Sequence, residues 1–361
     1  MTDAQGRPFA GRGQWTEPTT EEVAPGVHRV PLPLPMDGLR AVNVYVLETP
    51  SGLTCVDAGW AIEVSRELLG EGLRRIGHDV RDVTRFLVTH AHRDHYTQAV
   101  TVRREFGNAT IDLGVGDKPT LDLFNSGELD ADPTVARLRL GGAFEVAAGW
   151  EEQFRGADPD LAMWELPDRW LDGEHEIDLG DRVLHAVPTP GHTAGHFVFA
   201  DHERGVLFAG DHVLPTITPS VGFELVFAEN PLAAFLGSLR RVREMPDLVL
   251  LPAHGPVSPS SHARVDELLE HHDDRLEQCA AQVGADGSTA HDVATRLTWT
   301  RHERAFGELD WFNGAMATME TMVHLDLLAS GGRLLREEVD GTAVYRRASL
   351  EPHDRGAPTG R

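Results

Sequence analysis

The residues with the clearest chemical potential are Thr89-His90-Ala91-His92-Arg93-Asp94-His95, directly after the apolar run Phe86-Leu87-Val88. Three imidazoles and a carboxylate at this spacing offer neutral nitrogen donors and one hard oxygen. That mixture suits zinc or iron better than calcium or magnesium. A lone histidine reads as a packed or surface residue, but four ligand types behind an apolar run read as a metal cradle. On an extended backbone successive side chains point to opposite faces, so His90 and His92 are expected to share a direction while Ala91 points away. Asp94 and His95 are expected in the turn that follows.

Such a cradle leaves coordination incomplete, and three later segments have the form needed to finish it. Thr189-Pro190-Gly191-His192-Thr193-Ala194-Gly195-His196 puts a histidine on a glycine turn. Phe208-Ala209-Gly210-Asp211-His212 ends an apolar run with a carboxylate, and Leu251-Pro252-Ala253-His254-Gly255 ends another with a histidine. In each, glycine or another small residue lets the backbone turn tightly beside a shared site.

The elements that must position these residues are legible in outline. Val27–Val30, closed by Pro31, Pro33 and Pro35, reads as a short edge strand. Val42–Leu47 and Leu53–Val56 flank the turn Thr49-Pro50-Ser51-Gly52 as a hairpin. Ile62–Ile76 and Tyr96–Phe106 have helical spacing around the strand Thr84–Val88. Residues 117–172 lose the regular alternation. Their helix-like stretches at Thr120–Phe124 and Pro133–Phe154, with Trp150, Trp164 and Trp170, predict a helical insertion that packs its aromatics on the body. The alternative is a lid or subunit contact that shapes a pocket. Strands return at 176–179, 182–187, 197–200 and 206–209, then a helix at Pro231–Met245, a strand at Leu248–Leu251 and a long polar helix at Ser261–Val283. Strands and helices thus alternate twice, which predicts two similar halves stacked as a layered α/β structure. Residues 284–348 read as helices followed by a hairpin, a winged-helix-like module. Residues 1–22 and 349–361 read as flexible tails.

Composition excludes some classes. With 41% apolar residues in 361 the chain belongs among globular proteins of more than one compact unit. Fifty-seven acidic against 33 basic residues give a formal charge of -24, a field that repels phosphate backbones and anionic lipids. Residues 284–361 carry 9 arginines and 12 acidic residues, so the basic footprint of a nucleic-acid reader is missing there. A packing or dimerisation role is expected of that module; the second of these would give a homo-oligomer. Cys55 and Cys279 are too few and too far apart for a disulfide framework or a thiolate metal site. No run has signal-peptide or membrane-spanning character, so a cytoplasmic protein without membrane association is the expectation.

Taken together, Val56-Asp57-Ala58-Gly59, the histidine cluster, His192 in its glycine turn, Asp211 and His254 resemble, in order, the five landmark motifs of the metallo-β-lactamase-fold hydrolase superfamily. They span residues 23–257, and residues 23–283 would form the catalytic domain. The resemblance implies a four-layer αβ/βα sandwich with two divalent metal ions, zinc first and iron or manganese as alternatives. By motif, His90, His92 and His192 would hold one ion, Asp94, His95 and His254 the other, and Asp211 would bridge. Asp57 would orient the ligand loops, with His196 and His212 as supporting neighbours. The antibiotic-hydrolysing enzymes of the best-known zinc class carry cysteine where this chain has Asp211, which argues against β-lactam hydrolysis. The aspartate resembles the glyoxalase II, thioesterase, lactonase and nuclease branches instead. The C-terminal module adds a resemblance to the mammalian β-lactamase-like protein type.

Two such cations lower the pKa of a shared water to near 7 and polarise the group under attack. Asp94 is the candidate to orient that water and shuttle its proton. The expected activity is hydrolysis of a small thioester, ester or lactone. The alternatives are a phosphodiesterase or ribonuclease with the same metals, or a mono-iron persulfide dioxygenase-like oxidoreductase using His90, His192 and Asp211.

Overall fold

The computed structural model describes residues 15–35, 38–126, 132–155, 161–300 and 303–348. Residues 1–14 and the expected tail 349–361 lie outside the described residues. The chain divides into two compact units, Met1–Val135 with Glu151–Asp273, and Ala136–Trp150 with Asp274–Arg361.

The first unit is built on two sheets. One starts with an antiparallel meander, β1 (Glu21–Ala24), β2 (Val27–Pro33), β3 (Ala41–Thr49) and β4 (Gly52–Val56). After the helix α1 (Glu63–Arg75) the chain returns as β5 (Val83–Leu87), parallel to β4. Helix α2 (Arg93–Phe106) leads to β6 (Thr110–Gly114), parallel to β5. Helices α3 (Lys118–Ser126), α4 (Pro133–Leu140) and α5 (Phe144–Gln153) precede β7 (Arg169–Leu171), the last parallel strand of this seven-stranded sheet. The second sheet repeats the plan. β8 (His175–Asp178), β9 (Val183–Pro188), β10 (Phe197–Asp201) and β11 (Val206–Gly210) form a meander, and after α6 (Pro231–Glu244) comes β12 (Val249–Pro252), parallel to β11. Helix α7 (Ser261–Gln282) follows.

β3 shows why strict polar alternation is missing from the sequence. Val42, Val44 and Val46 join a core with Leu69 and Leu73 of α1 and Tyr96 and Val100 of α2. The alternate residues Tyr45 and Leu47 join Phe199, Phe208 and Leu251 of the other sheet. Both faces are covered, so both alternating sets are apolar except for Asn43, whose amide is hydrogen-bonded to Arg29 and to the Pro252 and Gly255 carbonyls. Tyr45 and Phe208 meet edge to face, with 5.4 Å between ring centroids.

Three expectations need correction. Residues 15–22, expected within a flexible tail, are ordered on the body: Trp15 is buried and its carbonyl accepts from Arg29 Nη1 at 2.8 Å, and β1 begins at Glu21. β1, not Val27–Val30, is the edge strand. It covers only Val27–Arg29, so β2 runs on through Pro31 and Pro33, where a missing N–H costs no ladder bond. Residues 117–172 do not form one inserted body. Trp164 stacks between Tyr96 and Phe124, and Arg169–Leu171 pair with β6, whereas residues 136–150 belong to the second unit. There Trp150 packs on Trp311 and Phe312.

The remainder of the second unit comprises α8 (Ala290–Ala294), the short pair β13 (Thr298–Trp299) and β14 (Arg304–Ala305), α9 (Trp311–Ser330) and the hairpin of β15 (Leu334–Val339) with β16 (Thr342–Arg347). No helix among the described residues is long and apolar enough to cross a membrane.

The inter-sheet core should dominate the stability of the first unit. Phe208 is fully buried there, so Phe208→Ala is expected to cost about 3–5 kcal/mol through lost burial and a residual cavity. Urea unfolding checks this, and a loss near zero would contradict the packing described.

Candidate metal centre

Every ligand-type segment singled out in the sequence lies at the carboxyl end of a strand. Asp57 follows β4, His90 to His95 follow β5, His192 follows β9, Asp211 follows β11 and His254 follows β12. Parallel strands leave their C-terminal loops at one edge, so residues far apart in sequence converge there.

The histidine cluster sits differently from the expectation. β5 stops at Leu87, and His90 and His92 lie in the segment between strand and helix rather than on the strand. α2 starts at Arg93 with His92 at its cap, so Asp94 and His95 belong to the first helical turn instead of a loop. Their backbone is thus held by helical bonds, with His95 N–H donating to His92 O at 3.1 Å.

Asp57 holds this segment from one side. Its Oδ1 accepts from the Thr89 N–H at 2.8 Å and the Thr89 hydroxyl at 2.9 Å, and its Oδ2 accepts from His95 Nδ1 at 2.9 Å. The backbone at Asp57 is left-handed, φ 61°, a conformation costing on the order of 1 kcal/mol for a non-glycine residue. These bonds, with its own N–H donating to Leu87 O at 3.0 Å, retain it.

The other histidines are fixed through their far nitrogens. His192 Nδ1 donates to Ser220 O and His254 Nδ1 to Ala41 O, each at 2.7 Å. In the neutral ring this leaves Nε2 bare and pointed at the centre. Asp211 is placed through its backbone, whose N–H donates to His196 Nε2 at 3.2 Å. That nitrogen therefore carries no proton, and His196 Nδ1–H faces Thr189 Oγ1 at 2.8 Å. Gly210 makes the approach: φ is 51°, and a Cβ there would stand 2.6 Å from His196 Nε2. His212 is buried with its ring 5.1 Å from that of Phe235 and belongs to neither ligand group.

Two groups result, His90, His92, His192 and Asp211, and Asp94, His95 and His254. Within each, one donor atom per residue lies within 4.8 Å of the others. Asp211 stands between them, Oδ2 3.5 Å from His192 Nε2 and Oδ1 3.3 Å from His254 Nε2. His95 Nε2, His254 Nε2 and Asp211 Oδ1 are buried with no hydrogen-bond partner. Their nearest approaches are ion pairs of 3.3–3.8 Å with Asp94 and with one another, too long for good hydrogen bonds, and cations at the centre would satisfy them better. This donor set suits a pair of divalent metal ions.

The two groups differ in charge. Burial, then the adjacent His95 and His92, hold His90 well below the ordinary imidazole value, and burial with His192 brings His92 down to about 3. Burial also lowers His95, but Asp57, Asp94 and Asp211 outweigh it and lift it to about 9. His254 is raised well above the ordinary value, the Asp211 and Asp94 carboxylates outweighing its burial. Conversely, Asp211 is held well below the carboxylate range because His254 and His95 outweigh its own burial.

All seven sequence-derived ligand candidates come together. The sequence reading missed Asp117, a buried carboxylate that burial pushes up to about 6. Its segment, Leu113-Gly114-Val115-Gly116-Asp117, has the same form as Phe208-Ala209-Gly210-Asp211, an apolar strand ending in glycine and aspartate, and that likeness was the available signal.

Residues 37–254 match the family described as the metallo-beta-lactamase superfamily. The chain belongs to that superfamily. Its fold is shared with a metallo-beta-lactamase family protein from Thermus thermophilus (TM-score 0.73, 26% identity, 90% of this chain and 99% of that one). A Beta-lactamase domain protein from Burkholderia ambifaria is similar to the same degree (TM-score 0.76, 30% identity, 91% and 94%). Among curated relatives, the Probable metallo-hydrolase YqjP of Bacillus subtilis is 24% identical over 334 residues, 91% of this chain and 98% of the relative. The Hydroxyacylglutathione hydrolase GloC of Haemophilus influenzae is 27% identical, over 47% of this chain and 67% of the relative. The Atrochrysone carboxyl ACP thioesterase AgnL7 of Paecilomyces divaricatus is 30% identical, over 34% and 38%. The chain spans less than half the length of the first curated relatives it matches.

Metal uptake should be linked to protons. His95 titrates at about 9 in the metal-free protein, so at pH 7 a metal ion must displace its proton, and that of His254, to reach Nε2. Affinity for Zn²⁺ is therefore expected to rise from pH 6 towards pH 9, with protons released on binding. Calorimetric titration in buffers of different ionisation enthalpy measures this; an affinity flat across that window would contradict it.

Proposed function

We propose that this protein is a dinuclear metal-dependent hydrolase acting on a small thioester, ester or lactone. The observation that carries the reading is the buried pair of ligand groups with Asp211 between them, in which His95 Nε2, His254 Nε2 and Asp211 Oδ1 make no hydrogen bond. The names of two relatives, a hydroxyacylglutathione hydrolase and an acyl carrier protein thioesterase, support an acyl thioester as substrate.

In this reading His90, His92 and His192 would hold one ion and Asp94, His95 and His254 the second, with Asp211, which faces both groups, available to either. The imidazole and carboxylate donors favour zinc. The ion pair would supply a water acidified to near neutrality and a Lewis acid for the carbonyl oxygen.

The protein's own groups do the rest. Asp57 fixes the tautomer and angle of His95, and Ser220 and Ala41 do the same for His192 and His254 through their carbonyls. Asp94 is kept ionised: burial opposes the charge, but the neighbouring His95 and His254 outweigh it. Its Oδ2 lies 3.4 Å from His254 Nε2 and 3.6 Å from His95 Nε2, which supports a role in orienting the attacking water and relaying its proton. The water oxygen bonds to the acyl carbon, the carbon–sulfur or carbon–oxygen bond breaks, and the leaving group departs with the proton relayed through Asp94.

The test is metal analysis of protein purified without chelators, followed by turnover on acyl-CoA, acyl-glutathione and lactone panels. Two equivalents of metal are expected, and Asp94→Ala should lower turnover by about 10²–10⁴-fold. Protein that holds no metal, or that turns over none of these substrates when loaded, would refute the proposal.

A further inference from the structure

The ligand set and Asp57 do not account for Asp117. It ends a short 3-10 turn, Val115–Asp117, just after β6, and is 2% exposed. Its Oδ2 accepts the N–H of Ala91, between His90 and His92, at 2.7 Å. Its Oδ1 accepts the N–H of Gly195, three residues beyond His192, at 2.8 Å. One carboxylate therefore joins the ligand segment of the first sheet to that of the second.

The backbone around it is shaped for this junction. A Cβ on Gly114 would stand 1.9 Å from Gly195 O, and one on Gly116 2.2 Å from Ala194 O. A Cβ on Gly195 would stand 2.4 Å from Asp117 N. Only glycine at these three positions lets the end of β6 meet the His192 turn backbone to backbone. A buried carboxylate in this gap is costly unless its oxygens are paired, and here each accepts a main-chain N–H.

We infer that Asp117 is a positioning residue that sets the spacing between the His90–His92 segment and the His192 turn, and through it the metal affinity of that histidine group. The inference rests on the reading that those three histidines hold a metal ion. Asp57 orients the histidine cluster from within the first sheet; Asp117 ties that cluster to the opposite half of the fold.

The test compares wild type with Asp117→Asn. The amide keeps the shape and removes a buried charge, but it can accept from only one of the two N–H groups and presents its own N–H to the other. Both proteins are stripped of metal, melted, and titrated with Co²⁺ by visible absorption. The expected result is a loss of about 10–100-fold in cobalt affinity with the metal-free melting temperature unchanged. Equal affinity in the two proteins overturns the role of Asp117 alone. A wild type that takes up no cobalt overturns the metal reading and this inference with it. A fall in affinity matched by a collapse of the metal-free melting temperature assigns a general structural role and overturns the positioning role. Should the variant not fold, hydrogen exchange in metal-free wild type decides: slow exchange of the Ala91 and Gly195 amides is expected, and exchange at the rate of open loops overturns the junction.

Discussion

The constraint on which the rest of this structure depends is the gathering of five imidazoles and two carboxylates at the shared edge of two sheets, all but His92 buried, with His95 Nε2, His254 Nε2 and Asp211 Oδ1 left without hydrogen bonds. Such a cluster cannot hold itself together. Charged groups and imidazole nitrogens without hydrogen bonds are costly in a dry interior. The fold answers by tying four of these residues to groups outside the cluster. His95 leans on Asp57, His192 on the Ser220 carbonyl and His254 on the Ala41 carbonyl, and Asp211 is placed by its own backbone N–H on His196.

These anchors explain the two-sheet architecture in functional terms. The seven-stranded sheet delivers His90, His92, Asp94 and His95, and the five-stranded sheet delivers His192, Asp211 and His254. Each proposed ion takes ligands from both sheets. The Tyr45, Phe199, Phe208 and Leu251 layer between the sheets is thus part of the site's geometry, since it sets the separation of the two ligand sets. Charge separates the groups as well: carboxylates surround His95 and His254, while His90 and His92 have chiefly other imidazoles for company.

The second unit is described by different physics. Its core gathers Val293, Trp299, Met322, Leu325 and Tyr345 around α9. Asp326 accepts from the Tyr345 hydroxyl at 2.7 Å, so the hairpin is fastened to the helix by a polar bond as well as by packing. None of its described residues enters either ligand group.

Residue types and spacing alone determined the chemistry of the centre. Three histidines and an aspartate in one short segment, with glycine-flanked His192, Asp211 and His254, point to a metal site because few other functions need those donors together. The strands were legible for the same local reason: short apolar runs ended by glycine, proline or aspartate mark where a chain turns. Only the tertiary structure decided the rest. That β1 rather than β2 is the edge and that residues 136–150 join the second unit both depend on contacts between distant segments. Asp117 shows the limit most directly: its role depends on Gly195, 78 residues away, and on the clearance left by glycine backbones, a relation that no local pattern encodes.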